Sequence, residues 1–359
     1  MLIETHAHLQ SRRFARDLDR VLARAADAGI GTIVCASDRL ESSRRAVRLA
    51  RESTRRVPRL KTTVGVHPHH AAGVDAAALD ELEDLARDDS VCAVGEIGLD
   101  AHYPDHDLDR QLKAFTAQAH LAGRLDRPVV IHCREAYDLL IETIRRDPAI
   151  PRRGIVHCFA GDLNQARALR AMGYRLGLTG ALTYPNASAL RAVVKAVGLD
   201  AWVVETDAPY LAPQARRGHR NEPSYLKYLL PTLAELTGVG WLDAACATSH
   251  NARAALGWPD EPPASPSSPA RLRHLQMKIG ERPTRELAGA LLNRYDRVTI
   301  DDDPALGDDE AMAFVRVCRD VVPEVVWAVR AAPGLDVEAR RRFAEDTLRV
   351  RFQLLPPLE

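Results

Sequence analysis

Residues 129–132 read Val129-Val130-Ile131-His132, a short apolar run that ends in a histidine. The pattern returns further along the chain as Gly154-Ile155-Val156-His157. An apolar run of this length is typical of a strand buried on both faces of a parallel sheet. Two such runs that end in the same residue type predict two neighbouring strands whose last side chains meet at one edge of the sheet.

Outward from these runs, the chain up to Trp258 alternates strand-like and helix-like segments. Apolar residues lie three and four positions apart in the intervening stretches, as at Leu18, Val21 and Leu22. Eight such strand–helix units over roughly 250 residues predict parallel strands, right-handed crossovers and an α/β (β/α)8 TIM barrel. An open doubly wound sheet is the alternative, but it would spread the strand ends along a line. The predicted strands are Leu2–Glu4, Thr32–Ala36, Lys61–Val66, Val91–Ile97, Val129–His132, Gly154–His157, Tyr174–Leu178 and Trp202–Glu205.

A second region of different composition begins near Pro259. Residues 259–269 are rich in Pro and Ser and lack hydrophobic periodicity, which predicts a linker. Residues 270–359 are predicted to form an additional, mostly α-helical accessory region after the barrel at residues 1–258. The predicted helices in that region are Arg285–Tyr295, Asp309–Val321 and Val337–Phe352.

The overall composition excludes several classes of protein. A hydrophobic fraction of 46% argues against wholesale disorder, and a formal net charge of zero argues against a globally basic nucleic-acid-binding surface. A local basic patch stays compatible with that balance. The six cysteines form no Cys-x-x-Cys pair, and neither a signal peptide nor a membrane-length apolar run is evident. We therefore expect a cytoplasmic protein that does not associate with membranes.

Ionisable residues stand where the predicted strands end, which is where TIM barrels carry their active sites. His6 and His8 share one face of a strand because side chains alternate. Burial of Glu96 in an apolar strand would cost several kcal/mol without a partner. An arginine could pair with that carboxylate, and single histidines are often core residues, but the convergence predicts a hydrolytic metal centre. The candidate ligands are His6, His8, Glu96, His132, His157 and Asp207.

At several motifs the chain resembles the TatD family of metal-dependent nucleases, which belong to the amidohydrolase-like barrels. The resemblance covers residues 1–256 and implies two divalent ions, one held by His6, His8 and Asp207 and the other by His132 and His157, with Glu96 between them. It does not cover the region after Pro259. The matching stretches are Glu4-Thr5-His6-Ala7-His8, Gly65-Val66-His67-Pro68-His69, Gly95-Glu96-Ile97-Gly98-Leu99-Asp100, Pro128–Arg134, His157-Cys158-Phe159-Ala160-Gly161, Glu205-Thr206-Asp207-Ala208-Pro209-Tyr210-Leu211 and Arg220-Asn221-Glu222-Pro223.

Further residues are predicted to act on the substrate. Asp207 is the candidate general base, and Glu205, on the same strand face, is expected to bind a further ion or support the site. The ions could be Mg²⁺, Mn²⁺ or Zn²⁺. Candidate phosphate contacts are His67, His69, Arg134, Arg216 and Arg220, and candidate base-stacking residues are Tyr103, Phe159 and Tyr210.

The resemblance implies a metal-dependent phosphodiesterase that hydrolyses DNA. The leading hypothesis is a 3′–5′ exonuclease or related DNase that acts on single strands or frayed ends. A barrel amidohydrolase that cleaves a small-molecule amide or ester is an alternative; a lysine able to bridge two metals would favour it. A third possibility is a scaffolding subunit that binds a protein partner through residues 270–359.

Overall fold

The computed structural model describes residues 1–53, 58–259, 274–278, 297–301, 324–330, 341, 345 and 351–355. The chain forms two compact units, one that ends at Asp260 and one made almost wholly of Glu261–Glu359. Within the described residues, no helix combines the length and the apolar character that a membrane crossing needs.

The first unit is a (β/α)8 barrel, as the sequence predicts. Eight parallel strands follow one another in chain order around the sheet. The first and last strands meet through a bridge between Ala7 and Ala208, and the amide of Asp207 donates to the carbonyl of His6 at 2.9 Å. The strands are β1 (Leu2–Ala7), β2 (Ile30–Cys35), β3 (Arg59–Val64), β4 (Val91–Asp100), β5 (Val129–Arg134), β6 (Gly154–His157), β7 (Tyr174–Leu178) and β8 (Trp202–Val204).

Amphipathic helices cover the outside of the barrel. Their apolar residues recur at helical spacing, so that Val21, Leu22 and Ala25 of the first helix are buried. The helices are α1 (Leu18–Asp27), α2 (Leu40–Glu52), α3 (Ala76–Ala86), α4 (Leu108–Arg124), α5 (Tyr137–Arg146), α6 (Leu163–Ala171), α7 (Ser188–Val197), α8 (Leu230–Thr237) and α9 (Trp241–Leu256).

The last helix, α9, packs into the core near the amino ends of the strands. Ala252, Ala255 and Leu256 join one hydrophobic cluster with strand residues such as Ile3 and Val130. This end of the barrel is therefore filled by apolar side chains. The carboxyl ends of the strands are left for polar residues, as in other barrels of this type.

The second unit contains a parallel sheet that the sequence analysis missed. Its four strands pair in the order β12-β11-β10-β9, with Arg297 aligned with His274 and with Glu324. Strands of five to seven residues are too short for periodicity to separate strand from helix, which explains the miss. The strands are β9 (His274–Lys278), β10 (Arg297–Asp301), β11 (Glu324–Arg330) and β12 (Arg351–Leu355).

The three helices predicted for this region fall almost entirely outside the described residues. The prediction was wrong at the end of the third helix, where Arg351 and Phe352 belong to β12. The predicted linker lies outside the described residues except for Pro259.

Candidate metal centre and active site

The end of β1 supplies two imidazoles. His6 is fully buried, and both of its ring nitrogens lack a hydrogen-bond partner among the described residues. Its Nε2 lies 3.3 Å from Glu96 Oε2. His8 Nδ1 donates to the carbonyl of Ala36 at 2.9 Å, which directs Nε2 towards Asp207 Oδ1 at 3.2 Å. The hydrogen bond from Nδ1 thus turns Nε2 of His8 towards the centre, which is the orientation that metal ligation requires.

The carboxylate of Glu96, on β4, occupies the middle of the site and is 3% exposed. Its Oε2 faces His6, whereas its Oε1 lies 3.0 Å from His132 Nδ1, 3.8 Å from His67 Nε2 and 4.0 Å from His157 Nε2. The register of the sheet produces this meeting, because His132 on β5 pairs directly with His157 on β6. The two oxygens of one carboxylate thus face two different groups of histidines.

Two glycines make room for these side chains. Gly98 has φ +148°, and a Cβ added there would lie 1.9 Å from the carbonyl oxygen of His132. A Cβ at Gly177 on β7 would lie 2.1 Å from Glu205 Oε1. Larger residues at either position would displace the strand or the carboxylate that positions a site histidine.

Glu205 lies behind His157 and is fully buried. Its Oε1 is 2.8 Å from His157 Nδ1 and accepts a hydrogen bond from the Cys158 amide at 2.6 Å. The His157 ring stacks on that of His6, with centroids 3.5 Å apart and planes 19° apart. Glu205 therefore orients His157, whose Nε2 points towards Asp207 Oδ1 at 3.9 Å.

The charges in this cluster are strongly coupled. Burial favours the neutral acid, but the imidazoles of His6 and His157 hold the pKa of Glu96 well below its usual value. Burial would lower the pKa of His157, but the carboxylates of Glu205 and Glu96 raise it to about 10. Burial opposes ionisation of Asp207 as well, yet His8 and His157 lower its pKa. The surrounding imidazoles thus favour the ionised forms of Glu96 and Asp207.

Nitrogen and oxygen donors gather into three groups suited to a cation. Within each group, one ligand atom from each residue lies within 4.8 Å of the others, and Glu96 belongs to two groups. Such mixed imidazole and carboxylate sets suit Zn²⁺ or Mn²⁺, and the carboxylates also suit Mg²⁺. With the unpartnered nitrogens of His6, this donor set fits a bound metal cation. The groups are His6, His8 and Glu96; His67, Glu96 and His132; and His6, His157 and Glu205.

His67 takes a different place from the one the sequence analysis proposed. It was predicted to contact phosphate, but it stands with Glu96 and His132 among the potential ligands. Burial lowers the pKa of His67 to about 3, so its imidazole is neutral. His69, the other histidine of this loop, lies 3.0 Å from Asp100 Oδ2 through its Nε2.

A cavity of about 1020 Å³ opens over the cluster. Arg134, a predicted substrate contact, lines it. Arg216 and Arg220 are not brought to it: Arg220 forms a bidentate pair with Asp17 at 2.8 and 2.7 Å, and Arg216 Nε donates to Tyr228 Oη. Phe159, a predicted stacking residue, is buried in the core at 2% exposure.

Two carboxylates that the sequence analysis did not assign to the site lie on the same strand faces as candidate ligands. Asp100 Oδ2 is 2.9 Å from His132 Nε2, and Glu4 Oε1 accepts hydrogen bonds from the amides of His6 and Thr206, both at 3.0 Å. The period of two along a strand could have revealed both carboxylates, since Asp100 follows Glu96 by four residues. Three further arginines line the cavity, namely Arg12 after β1, Arg39 after β2 and Arg45 on α2.

The barrel and its mixed histidine–carboxylate cluster define the class: a metal-dependent hydrolase with its site at the carboxyl ends of the strands. Residues 3–257 match the family model "TatD related DNase". The chain therefore belongs to the TatD-related DNase family.

Relatives and solved structures agree with this assignment. The chain is 35% identical over 264 residues to a "3'-5' ssDNA/RNA exonuclease TatD" of Erwinia amylovora, covering 71% of this chain and all of that protein. It is 33% identical over 253 residues to the uncharacterized metal-dependent hydrolase YabD of Bacillus subtilis, and the match covers 70% of this chain and 98% of that protein. The crystal structure of the TatD homologue YjjV of Escherichia coli superposes with a TM-score of 0.67 at 33% identity. The match covers 72% of this chain and 98% of that protein.

Proposed function

We propose that this hydrolase cleaves phosphodiester bonds of single-stranded DNA from the 3′ end, with two divalent ions bound side by side. The observation that carries the proposal is the position of Glu96, whose two oxygens face His6 on one side and His132 on the other. Two-ion hydrolysis of phosphodiesters uses ions about 3.5–4 Å apart, and a carboxylate with one oxygen on each side would hold two ions close together. The exonuclease direction is carried over from the relative named as a 3′–5′ exonuclease.

Each residue of the cluster then has a defined role. His6, His8 and Asp207 would hold one ion, and His132 with His67 or His157 the other, with Glu96 between them. When bound, the ions supply Lewis-acid polarisation of the phosphate and activation of water. Asp207 is 14% exposed and faces the cavity, so its carboxylate can accept the proton of the attacking water.

The cavity walls suit a polyanionic strand. Arg134 lines the cavity at the end of β5, and Arg12, Arg39 and Arg45 line it from the segments after β1 and β2. Asp38 lies 2.9 Å from Arg39, and Glu41 lies 3.3 Å from Arg45, so part of this positive charge is offset. Arg12 and Arg134 are exposed, and phosphate contacts of this kind position the backbone without reading sequence.

No lysine lines the cavity within the described part of the chain, so the feature that would favour the amidohydrolase alternative is not found there.

A substrate panel tests the proposal. The protein would be stripped with a chelator, reloaded with Mg²⁺, Mn²⁺ or Zn²⁺, and incubated with 5′-labelled single-stranded DNA, blunt duplex DNA, RNA and small-molecule amides and esters. We expect a ladder that shortens from the 3′ end of the single strand, and slower cleavage of the duplex. The variant Asp207→Asn should lose this activity. Asp126→Asn, which changes an exposed side chain paired with Arg153, is its matched control. Turnover of an amide or ester, with every nucleic acid left intact, would refute the proposal.

A further inference from the structure

Two exposed tyrosines stand at the mouth of the cavity. Tyr103 is 48% exposed and Tyr210 is 52% exposed, and both line the cavity above the metal ligands. Among the described residues, the other large hydrophobic side chains with comparable exposure are Met1 and Leu139, and neither lines this cavity. Exposed aromatic rings concentrated at one site point to a ligand that covers them.

The two rings flank the cluster from different sides. Tyr103 makes an edge contact with the ring of His69 at 5.3 Å between centroids, on the side of Asp100 and His132. Tyr210 makes an edge contact with His8 at 5.9 Å, on the side of Asp207. A phosphate bound at the cluster would therefore have one tyrosine on each side.

Each ring also carries an arginine. Arg134 lies 5.8 Å from the centroid of Tyr103, and Arg13 lies 5.6 Å from the centroid of Tyr210. An aromatic ring paired with a guanidinium offers a stacking surface and a positive charge together. Proteins that bind single-stranded nucleic acids combine these two elements, one for the base and one for the backbone.

We propose that Tyr103 and Tyr210 each stack one of the two bases that flank the cleaved phosphodiester bond. The inference rests on the proposed nuclease function and adds a requirement to it: both nucleotides at the cleaved bond must carry an unpaired base. Stacking tolerates every base, so cleavage is independent of sequence. A base pair at the end of a duplex has to open before either base can reach its ring, so blunt ends are cleaved slowly.

Abasic substrates test this requirement. Single-stranded oligonucleotides would carry a base-free sugar either at the 3′-terminal nucleotide or at the one before it, and kcat/KM would be compared with the unmodified strand. The wild type should discriminate against each modified strand by roughly 5- to 150-fold, the usual range for loss of one base–aromatic stack. Tyr103→Leu should abolish the discrimination at one position, and Tyr210→Leu the discrimination at the other. Tyr103→Phe and Tyr210→Phe keep the ring and should retain both.

The comparison is made within each protein, so a general loss of activity in a variant does not affect the ratio. Equal cleavage of modified and unmodified strands by the wild type would overturn the inference and needs no variant. Retention of both discriminations in the two leucine variants, with folding verified by thermal melting, would also overturn it. Cleavage of none of the strands by metal-loaded wild type would instead refute the nuclease proposal on which the inference rests.

Discussion

At the residue scale, the site depends on a buried carboxylate that touches imidazoles through both oxygens. A carboxylate as buried as Glu96 is costly unless positive charge surrounds it. His6 and His132 approach it at 3.3 and 3.0 Å, but two protonated, closely spaced imidazoles would repel each other. Cations bound between these groups would remove that conflict, because neutral imidazoles and ionised carboxylates are then both the favoured forms.

Asp207→Asn should abolish hydrolysis while leaving the barrel folded. The amide fills the same volume but cannot accept a proton, and loss of a general base typically lowers the rate ~10²–10⁴-fold. Steady-state kinetics on single-stranded DNA would measure the loss, with circular dichroism as the check on folding. Near-normal turnover by a folded Asp207→Asn protein would exclude the role assigned to Asp207.

Most of the candidate ligands could be singled out from sequence because they lie at or close to the carboxyl end of an apolar strand, although β4 continues for four residues beyond Glu96. What the sequence could not show are contacts between residues far apart along the chain. Arg220 was expected at the substrate, but its partner Asp17 lies across the barrel seam, in the loop before α1. The role of Glu205 depends on which ring nitrogen of His157 it meets, which the spacing of motifs does not reveal.

At the scale of elements, an ion pair connects α1 to the loop before α8. Arg24 donates to both oxygens of Glu222 at 2.8 and 2.6 Å, and Glu222 is 5% exposed. Burial disfavours the charged form, but Arg24 and Ser224 lower the pKa of Glu222 below its ordinary value of 4.5. A lowered pKa means that the stabilisation is complete above about pH 4.5 and is lost as the pH falls through the folded-state pKa.

Arg24→Ala should lower the free energy of unfolding by about 1–2 kcal/mol at neutral pH. The value lies at the low end for a buried charge left without its partner, because the Arg24 side chain is 44% exposed. The difference from wild type should shrink as the pH falls well below 4.5, where Glu222 is protonated in both states. Urea denaturation at neutral pH and at a pH well below 4.5 would measure this difference in the free energy of unfolding. Arg20→Ala, an exposed position on the same helix, is the control. A difference that does not change with pH would contradict the pairing.

The strands of the barrel were predictable to within a few residues, because eight apolar runs alternate with helical periodicity. β1 and β4 each continue three residues beyond the predicted end, β4 to Asp100 because its pairing with β5 extends to Arg134. The sheet of the second unit was not predictable in the same way. Its strands are short, and the residues that pair with them lie far away in sequence, so local periodicity carries little information.

At the scale of the whole molecule, the family match ends at residue 257, next to Trp258. Trp258 packs on the cluster that α9 completes, so a barrel that ends after Pro259 retains its core. We expect a chain cut there to fold, bind metal and hydrolyse single-stranded DNA with kcat/KM within a few-fold of the full chain. A chain cut after Leu229 removes α8 and α9 and should not fold. A folded, metal-loaded barrel ending at Pro259 with no nuclease activity would show that the region after it completes the active site.

The number of ions bound per chain tests the shared role of Glu96 most directly. Metal-stripped protein would be dialysed against Mn²⁺ or Zn²⁺ and its content measured by elemental analysis, for wild type, Glu96→Gln, His8→Ala and His132→Ala. We predict two ions in the wild type, one in each histidine variant, and weakened binding of both ions in Glu96→Gln. A wild type that saturates at a single ion, or a Glu96→Gln protein that still binds two ions with unchanged affinity, would contradict the two-ion centre.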